Sequence, residues 1–148
     1  MIARIGSTVE GQVTHVRNSS VLTVAPEKVG TACKLVVESG EYYHLSTITG
    51  LDEGESIALF YHFWRGKQFI TVKTNVPKEN PRIQSIIQEV PAAIFYEAEI
   101  ADLLGVTFRG NPLGDGGLLL PPNYPAGEPR PLRKEADPEK IKRMMRVE

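Results

Sequence analysis

The stretch SIALFYHFWRGKQFITVKTN, residues 56–75, decides the fold. Ile57, Leu59, Tyr61 and Phe63 fall on one side of an alternating pattern and Ala58, Phe60, His62 and Trp64 on the other, the period of two that a β-strand imposes. Arg65-Gly66-Lys67 interrupts the pattern, and Gln68 to Asn75 resumes it. Upstream, Glu41 to Thr49 forms a third such run, set apart by Gly50-Leu51-Asp52-Glu53-Gly54. Connections this short favour an antiparallel meander, because parallel neighbours need a crossover of about a dozen residues or more. Large apolar groups on both sides of residues 56–64 predict a central strand covered on both faces.

Working outward, residues 9–16 and 20–25 are rich in Val, Thr and Leu around the polar cluster Arg17-Asn18-Ser19, and read as a hairpin. Between Pro26 and Ser39, Val29, Ala32, Cys33, Val36 and Val37 repeat at i, i+3, i+4, i+7 and i+8, the stripe of an amphipathic helix stopped at Gly40. Asn80-Pro81 followed by Ile83, Ile86, Ile87 and Val90 predicts a capped helix ending at Pro91. A further helix spans about Ala93 to Leu104, closed by Gly105. The chain then changes character. Residues 105–117 hold five of the 13 glycines and 121–131 five of the 11 prolines, which removes regular periodicity and predicts an extended arm. Leu118-Leu119-Leu120 and Tyr124 are too apolar for a solvated linker, so some surface receives the arm, its own sheet or another protein. Asp137-Pro138 starts a short basic helical tail carrying Lys140, Lys142, Arg143 and Arg146. The expected class is α+β: an antiparallel-containing sheet with helices packed on it over residues 1–111, then an extended Gly/Pro-rich C-terminal arm and basic tail over 112–148.

Composition narrows the function. With 17 Lys+Arg against 18 Asp+Glu, the chain has no bulk positive charge with which to hold nucleic acid or an anionic membrane. The longest nearly apolar run, Ile57 to Trp64, is far short of the roughly 18 residues that span a bilayer. Cys33 stands alone, so no internal disulfide and no cysteine-ligated cluster is expected, and the compartment is read as reducing, hence cytoplasmic. His15, His44 and His62 lie on separate strands without metal-ligand spacing. Gly105-Val106-Thr107-Phe108-Arg109-Gly110 has the glycine spacing of a phosphate loop but continues with Asn111-Pro112, where that chemistry needs a lysine and a hydroxyl.

Glu97, Glu99 and Asp102 concentrate negative charge on the helix after Pro91. Two close carboxylates could share acid and base roles, which would make an independent small enzyme. The alternative is that they meet positive groups on loops or partners. Glu99 and Asp102 can share a helix face, whereas Glu97 and Asp102 diverge by roughly 140°. With no self-sufficient active site, an apolar arm and a basic tail, the inventory is that of an assembly subunit or a small adaptor.

The order of His44-Leu45-Ser46-Thr47-Ile48-Thr49-Gly50-Leu51-Asp52, Tyr61-His62-Phe63, Glu97 through Pro112, and Pro131-Leu132-Arg133-Lys134 resembles the C-subunit family of NADH:quinone oxidoreductase (respiratory complex I) and its relatives in membrane-bound NiFe hydrogenases. The family signature is matched at Glu97, Glu99, Asp102, Leu103, Leu104, Gly105, Phe108, Gly110 and Pro112. Ala98 replaces its arginine and Asn111 its histidine, and the segment from Pro112 to Pro121 is one residue longer and lacks the customary arginine pair. Those departures fit a divergent member, from a NiFe hydrogenase or a related sulfur-reducing membrane complex.

The resemblance implies an α+β domain whose sheet and signature helix pack against the large, hydrogenase-like catalytic subunit, with the Pro131-Leu132-Arg133-Lys134 arm laid along it. It implies interface roles for Glu97, Glu99, Asp102, Phe108, Gly110, Pro112, Leu119, Tyr124, Pro131, Leu132, Arg133 and Lys134. It implies no catalytic site and no cofactor in this chain. Iron–sulfur clusters, and in the hydrogenase branch a NiFe centre, belong to partner subunits, and the chain holds the peripheral arm on the cytoplasmic face of the membrane, touching the membrane arm only indirectly.

Overall fold

The computed structural model describes residues 1–41 and 44–145. A short helix α1 (Ile2–Thr8), a hairpin of β1 (Gln12–Val16) and β2 (Ser19–Thr23), and helix α2 (Val29–Glu38) precede the meander of β3 (His44–Asp52), β4 (Ser56–Arg65) and β5 (Gln68–Pro77). The sheet order is β1-β2-β5-β4-β3. β3, β4 and β5 are antiparallel neighbours, as the short connections require, whereas β2 joins β5 in parallel, with Leu22 beside Val72. α2 lies in the long crossover that makes this parallel pairing possible. The start of the predicted first meander run, Tyr42 and Tyr43, lies outside the described residues, as does Arg146 of the tail.

One side of the sheet carries the core. Ile57, Leu59, Tyr61 and Phe63 of β4 are fully buried, together with Ile70 and Val72 of β5 and Val29, Ala32, Cys33 and Val36 of α2. Burial of such side chains is worth about 1.5–3 kcal/mol each, before the opposing entropy of ordering them. The other side of β4 corrects the expectation of two covered faces. Ala58 is buried, but Phe60, His62 and Trp64 are half-buried, because the helices pack on the opposite side. Local contacts shield this open side: the Lys73 ammonium lies 5.3 Å from the Phe60 ring centre, and His62 bridges the Thr49 and Thr71 hydroxyls at 3.1 and 2.9 Å.

The predicted helix over residues 81–90 does not form. Its place is taken by strand β6 (Arg82–Gln84), paired in parallel with β7 (Thr107–Arg109), then a single turn closed by Val90 N–H to the Ile86 carbonyl at 2.7 Å. Ile83, Ile86 and Val90 are all buried, so the apolar spacing is genuine. An extended piece followed by one turn also brings these residues inward, and the β7 ladder outweighs helix propensity, which is a weak prior.

Helix α3 (Ala93–Leu104) forms as expected, and Gly105 at φ +71° ends it in the left-handed conformation. α3 packs on the core side of β3 at Gly50, where an added Cβ would lie 2.3 Å from Leu104 Cδ1. Residues 112–137 run as turns and bends, and α4 (Pro138–Met144) follows, capped by the Asp137 carboxylate through the Glu139 and Lys140 N–H groups.

Candidate functional site

α3 positions the acidic residues, and its sides have different fates. Ala93, Glu97, Ile100, Ala101 and Leu104 are buried, while Phe95 and Glu99 face solvent. The helical period explains the split, since Phe95 and Glu99 lie on the side opposite Ile100 and Leu104.

Glu97 is fully buried and satisfied from three directions. Its carboxylate accepts from Ser85 Oγ at 2.6 Å, Ile86 N–H at 2.9 Å and Asn111 Nδ2 at 2.8 Å. Asn111 also donates to the Ile94 carbonyl at 3.0 Å, and its Oδ1 accepts from Leu113 N–H at 2.8 Å. Glu97 thus ties α3 to the turn after β6 and the loop after β7. Burial pushes its carboxyl above the usual range, against the pull of these hydrogen bonds, with the nearby charge of Glu89 adding to the rise.

Asp102 is buried at the other end of the helix by a different set. It accepts from the backbone N–H groups of Gly117, Leu118, Leu119 and Leu120, at 2.7, 2.8, 2.5 and 3.3 Å. Burial alone would raise its pKa, but these donors win and hold it low. Glu99 is exposed and joins neither network. Glu97 and Asp102 thus belong to separate hydrogen-bond networks, and Glu99 stands outside both. A surface cavity of about 690 Å³ lies between Gly54, Glu55, Pro77, Lys78, Glu79, Arg133 and Glu135, and none of the three carboxylates lines it.

The arm returns to its own domain. Leu132 N–H donates to the Leu103 carbonyl at 2.9 Å and Arg133 Nε to the Leu104 carbonyl at 2.6 Å, so the arm supplies partners for carbonyls that a helix end leaves open. Lys134 N–H reaches Asp52 at 2.9 Å. Asp52 is buried and also takes Lys78 Nζ at 2.6 Å and Gly54 N–H at 2.9 Å. Burial works against its ionisation, but these donors hold its carboxyl well below the usual carboxylate range. Between these anchors Tyr124 is half-buried, with its hydroxyl on the Pro129 carbonyl at 2.6 Å and the Arg130 guanidinium 5.8 Å from its ring centre.

Of the other residues singled out in the sequence, Phe108 is buried in β7, while Gly110 (φ +92°) and Pro112 are exposed on the loop after it. Pro131 is half-buried, and Leu119 and Leu132 are 48% and 54% exposed. Sequence reasoning passes over Phe95, although it is 60% exposed on α3. A signal exists: an aromatic seven residues before Asp102 sits on the polar side of the helix. Asp52 and Lys78 escape the same reading because nothing local ties them to Lys134. Among the described residues no group of three or more His, Cys, Asp or Glu could hold a metal ion.

The family described as "Respiratory-chain NADH dehydrogenase, 30 Kd subunit" matches residues 22–142. The chain is 28% identical to the C-subunit of NADH-quinone oxidoreductase from Roseiflexus castenholzii over an aligned 119 residues, 76% of this chain and 66% of that protein. It is 29% identical to the fused C/D-subunit of the same enzyme from Gluconacetobacter diazotrophicus over 156 aligned residues, 88% of this chain and 25% of that protein. It thus spans about two thirds or less of these relatives. A chain in the structure of an archaeal membrane-bound sulfane sulfur reductase, a respiratory membrane complex, superposes with a TM-score of 0.79 at 22% identity, covering 99% of this chain and 89% of that one.

Proposed function

The chain belongs to the 30 kDa subunit family of respiratory-chain NADH dehydrogenase, and from that premise we propose that it is a non-catalytic structural subunit in the peripheral arm of a complex I-related membrane oxidoreductase, docked on the large catalytic subunit. The observation that carries the reading is the division of labour on α3. Glu97 and Asp102 have their hydrogen-bonding capacity used internally, while Phe95 at 60% exposure and the exposed Glu99 offer contact outward. Exposed aromatic surface beside an ordered apolar loop is the composition of an interface core.

The fused C/D relative supports the choice of partner, because a single chain carrying both names keeps the two parts together. The electron path, through iron–sulfur clusters and a NiFe or nickel-free centre, is assigned to the partner subunits. Gly110, Pro112, Leu119, Leu132 and the exposed parts of Pro131, Tyr124 and Lys134 complete the contact surface. Glu97, Asp102, Phe108 and Arg133 support that surface from behind. An obligate contact of this kind buries on the order of 2,000 Å² or more. Among the described residues no helix is long and apolar enough to cross a membrane, and the reading places the chain peripherally, on the cytoplasmic face.

Affinity purification of the tagged full chain from gently solubilised native membranes, with mass spectrometry and nickel and iron analysis, tests the proposal. Recovery with a hydrogenase-like large subunit and cluster-binding proteins is expected, and nickel separates the hydrogenase branch from its nickel-free relatives. Recovery of the chain alone from the soluble fraction would overturn the reading.

A further inference from the structure

Asp102 follows Phe95 by seven residues, so the two point within about 20° of each other and roughly 10 Å apart along the α3 axis. Phe95 is nevertheless 60% exposed and Asp102 only 1%. The difference is made by residues 117–120, which lie over Asp102 and bring four consecutive N–H groups to its carboxylate. Successive N–H groups converging in this way form an anion-binding concavity. Here the anion is part of the chain itself.

Two glycines make the approach possible. Gly116 and Gly117 have φ of +94° and +91°, and a Cβ on Gly116 would lie 2.4 Å from Asp102 Oδ1. Because the N–H groups turn toward the helix, two of the three leucines turn away from it. Leu118 and Leu119 are 41% and 48% exposed, while Leu120 is tucked in at 8%. The result is an apolar pair continuing the line from Phe95, with Glu99 between. Glu99 has no ion pair among the described residues.

We propose that Asp102 is a positioning residue for docking: its carboxylate presets Leu118 and Leu119 as a paired apolar anchor in line with Phe95 and Glu99. The surface fits a partner that offers an apolar slot beside a cationic side chain facing Glu99. The occupant is the large catalytic subunit, so the inference rests on the docking reading above. A loop already ordered does not have to lose its backbone freedom at the moment of association, which raises affinity without adding a contact.

The test has two arms, both on the full chain. In the free protein, Asp102→Asn weakens the hold on residues 117–120, and their amide exchange is expected to accelerate by about tenfold or more while that of β4 and β5 stays unchanged. If Asp102→Asn prevents folding, Gly117→Ala serves instead, since a side chain there has open space but an unfavourable φ. Unchanged exchange at 117–120 in the folded variant overturns the positioning role. In the assembly arm, the large subunit is co-expressed and complex recovered through its tag. Asp102→Asn and the pair Leu118→Ser, Leu119→Ser each lower recovery about tenfold, and combining them lowers it no further, because both remove one anchor. A merely structural role would make the losses add. Normal recovery with Asp102→Asn, or additive losses, overturns the inference and leaves the docking reading standing. A wild-type chain that recovers no large subunit defeats the docking reading and the assigned occupant, while the exchange arm still judges the clamp.

Discussion

Lys134 donates its backbone N–H to Oδ2 of Asp52 at 2.9 Å across 82 residues of sequence, which fastens the far end of the arm to the end of β3. The same oxygen takes Lys78 Nζ at 2.6 Å, and Lys78 turns to Glu135 at 2.6 Å as well. With Asp102 holding residues 117–120, the arm is pinned at two places, and the Pro-rich stretch between them is a closed loop rather than a free tail. Both pins are buried aspartates that accept backbone N–H groups from the arm.

Asp52→Asn keeps the shape of the side chain but presents an amide where Lys78, Lys134 and Gly54 all donate. Hydrogen bonds to charged groups are worth about 1.5–3 kcal/mol each, and their losses overlap here, so the expected destabilisation is about 2–3 kcal/mol. Urea unfolding measures it. Limited trypsin digestion should show earlier cutting after Arg133 and Lys134. If the variant unfolds like the wild type and resists trypsin equally, the latch does not hold the arm.

Much of this architecture is legible along the chain. Alternation at Ile57, Leu59, Tyr61 and Phe63 marks β4, the stripe from Val29 to Val36 marks α2, and Gly105 marks the end of α3 at +71°. Ile83, Ile86 and Val90 mislead because a strand and one turn bury the same residues as two helical turns. The parallel pairing of β2 with β5 has no local signature, since strand order is set by packing rather than by period. The site divides likewise. Glu97, Glu99 and Asp102 stand out as a cluster, but nothing within five residues of Asp102 announces that Gly117 to Leu120 will cover it. Glu99 stays in solvent, crossed by none of the described residues of the arm.

The buried carboxylates respond to pH with opposite signs. Asp52 has a lowered folded pKa, so its stabilising contribution is complete above the unfolded value, about 4, and drains away as pH falls toward the folded one. Glu97 has a raised pKa, so the native state retains its proton better than the unfolded chain. Its contribution is complete below the unfolded value, about 4.3, and is lost as pH rises through the folded one. Chemical unfolding at a series of pH values checks both. The stability gap between wild type and Asp52→Asn should narrow from about pH 5 downward, and wild type should lose ground to Glu97→Gln as pH rises above about 4. A flat difference curve for Glu97→Gln would mean that the hydrogen bonds from Ser85, Ile86 and Asn111 cancel the effect of burial.

Gly50 is where β3 lets α3 come close. A Cβ there would lie 2.3 Å from Leu104 Cδ1 and 3.1 Å from Ile100 Cδ1, both on buried side chains. Gly50→Ala gains some unfolded-state entropy, about 0.4–1 kcal/mol, but overpacking costs about 1–3 kcal/mol, so a net loss of about 1–2 kcal/mol is expected. Gly50→Val should lose more. Thermal unfolding gives the order wild type, Ala, Val; an Ala variant as stable as wild type would show that Leu104 shifts at no cost.

The outward stripe of α3 separates docking from folding. Phe95 is 60% exposed and Glu99 lies beside it, so Phe95→Ala and Glu99→Ala should each change the stability of the free chain by no more than about 0.5 kcal/mol. An aromatic anchor at an interface commonly carries about 2 kcal/mol or more, so Phe95→Ala should weaken assembly by roughly thirtyfold. On the docking proposal the Glu99 carboxylate meets a partner, so Glu99→Ala should lower the yield of complex while turnover per assembled complex stays normal. Replacing both Leu119 and Tyr124 by Asp should also abolish assembly with residues 1–105 still folded. Normal assembly with lost turnover for Glu99→Ala would move that residue from the contact surface into the reaction, and the measurement that decides is activity normalised to the large subunit recovered.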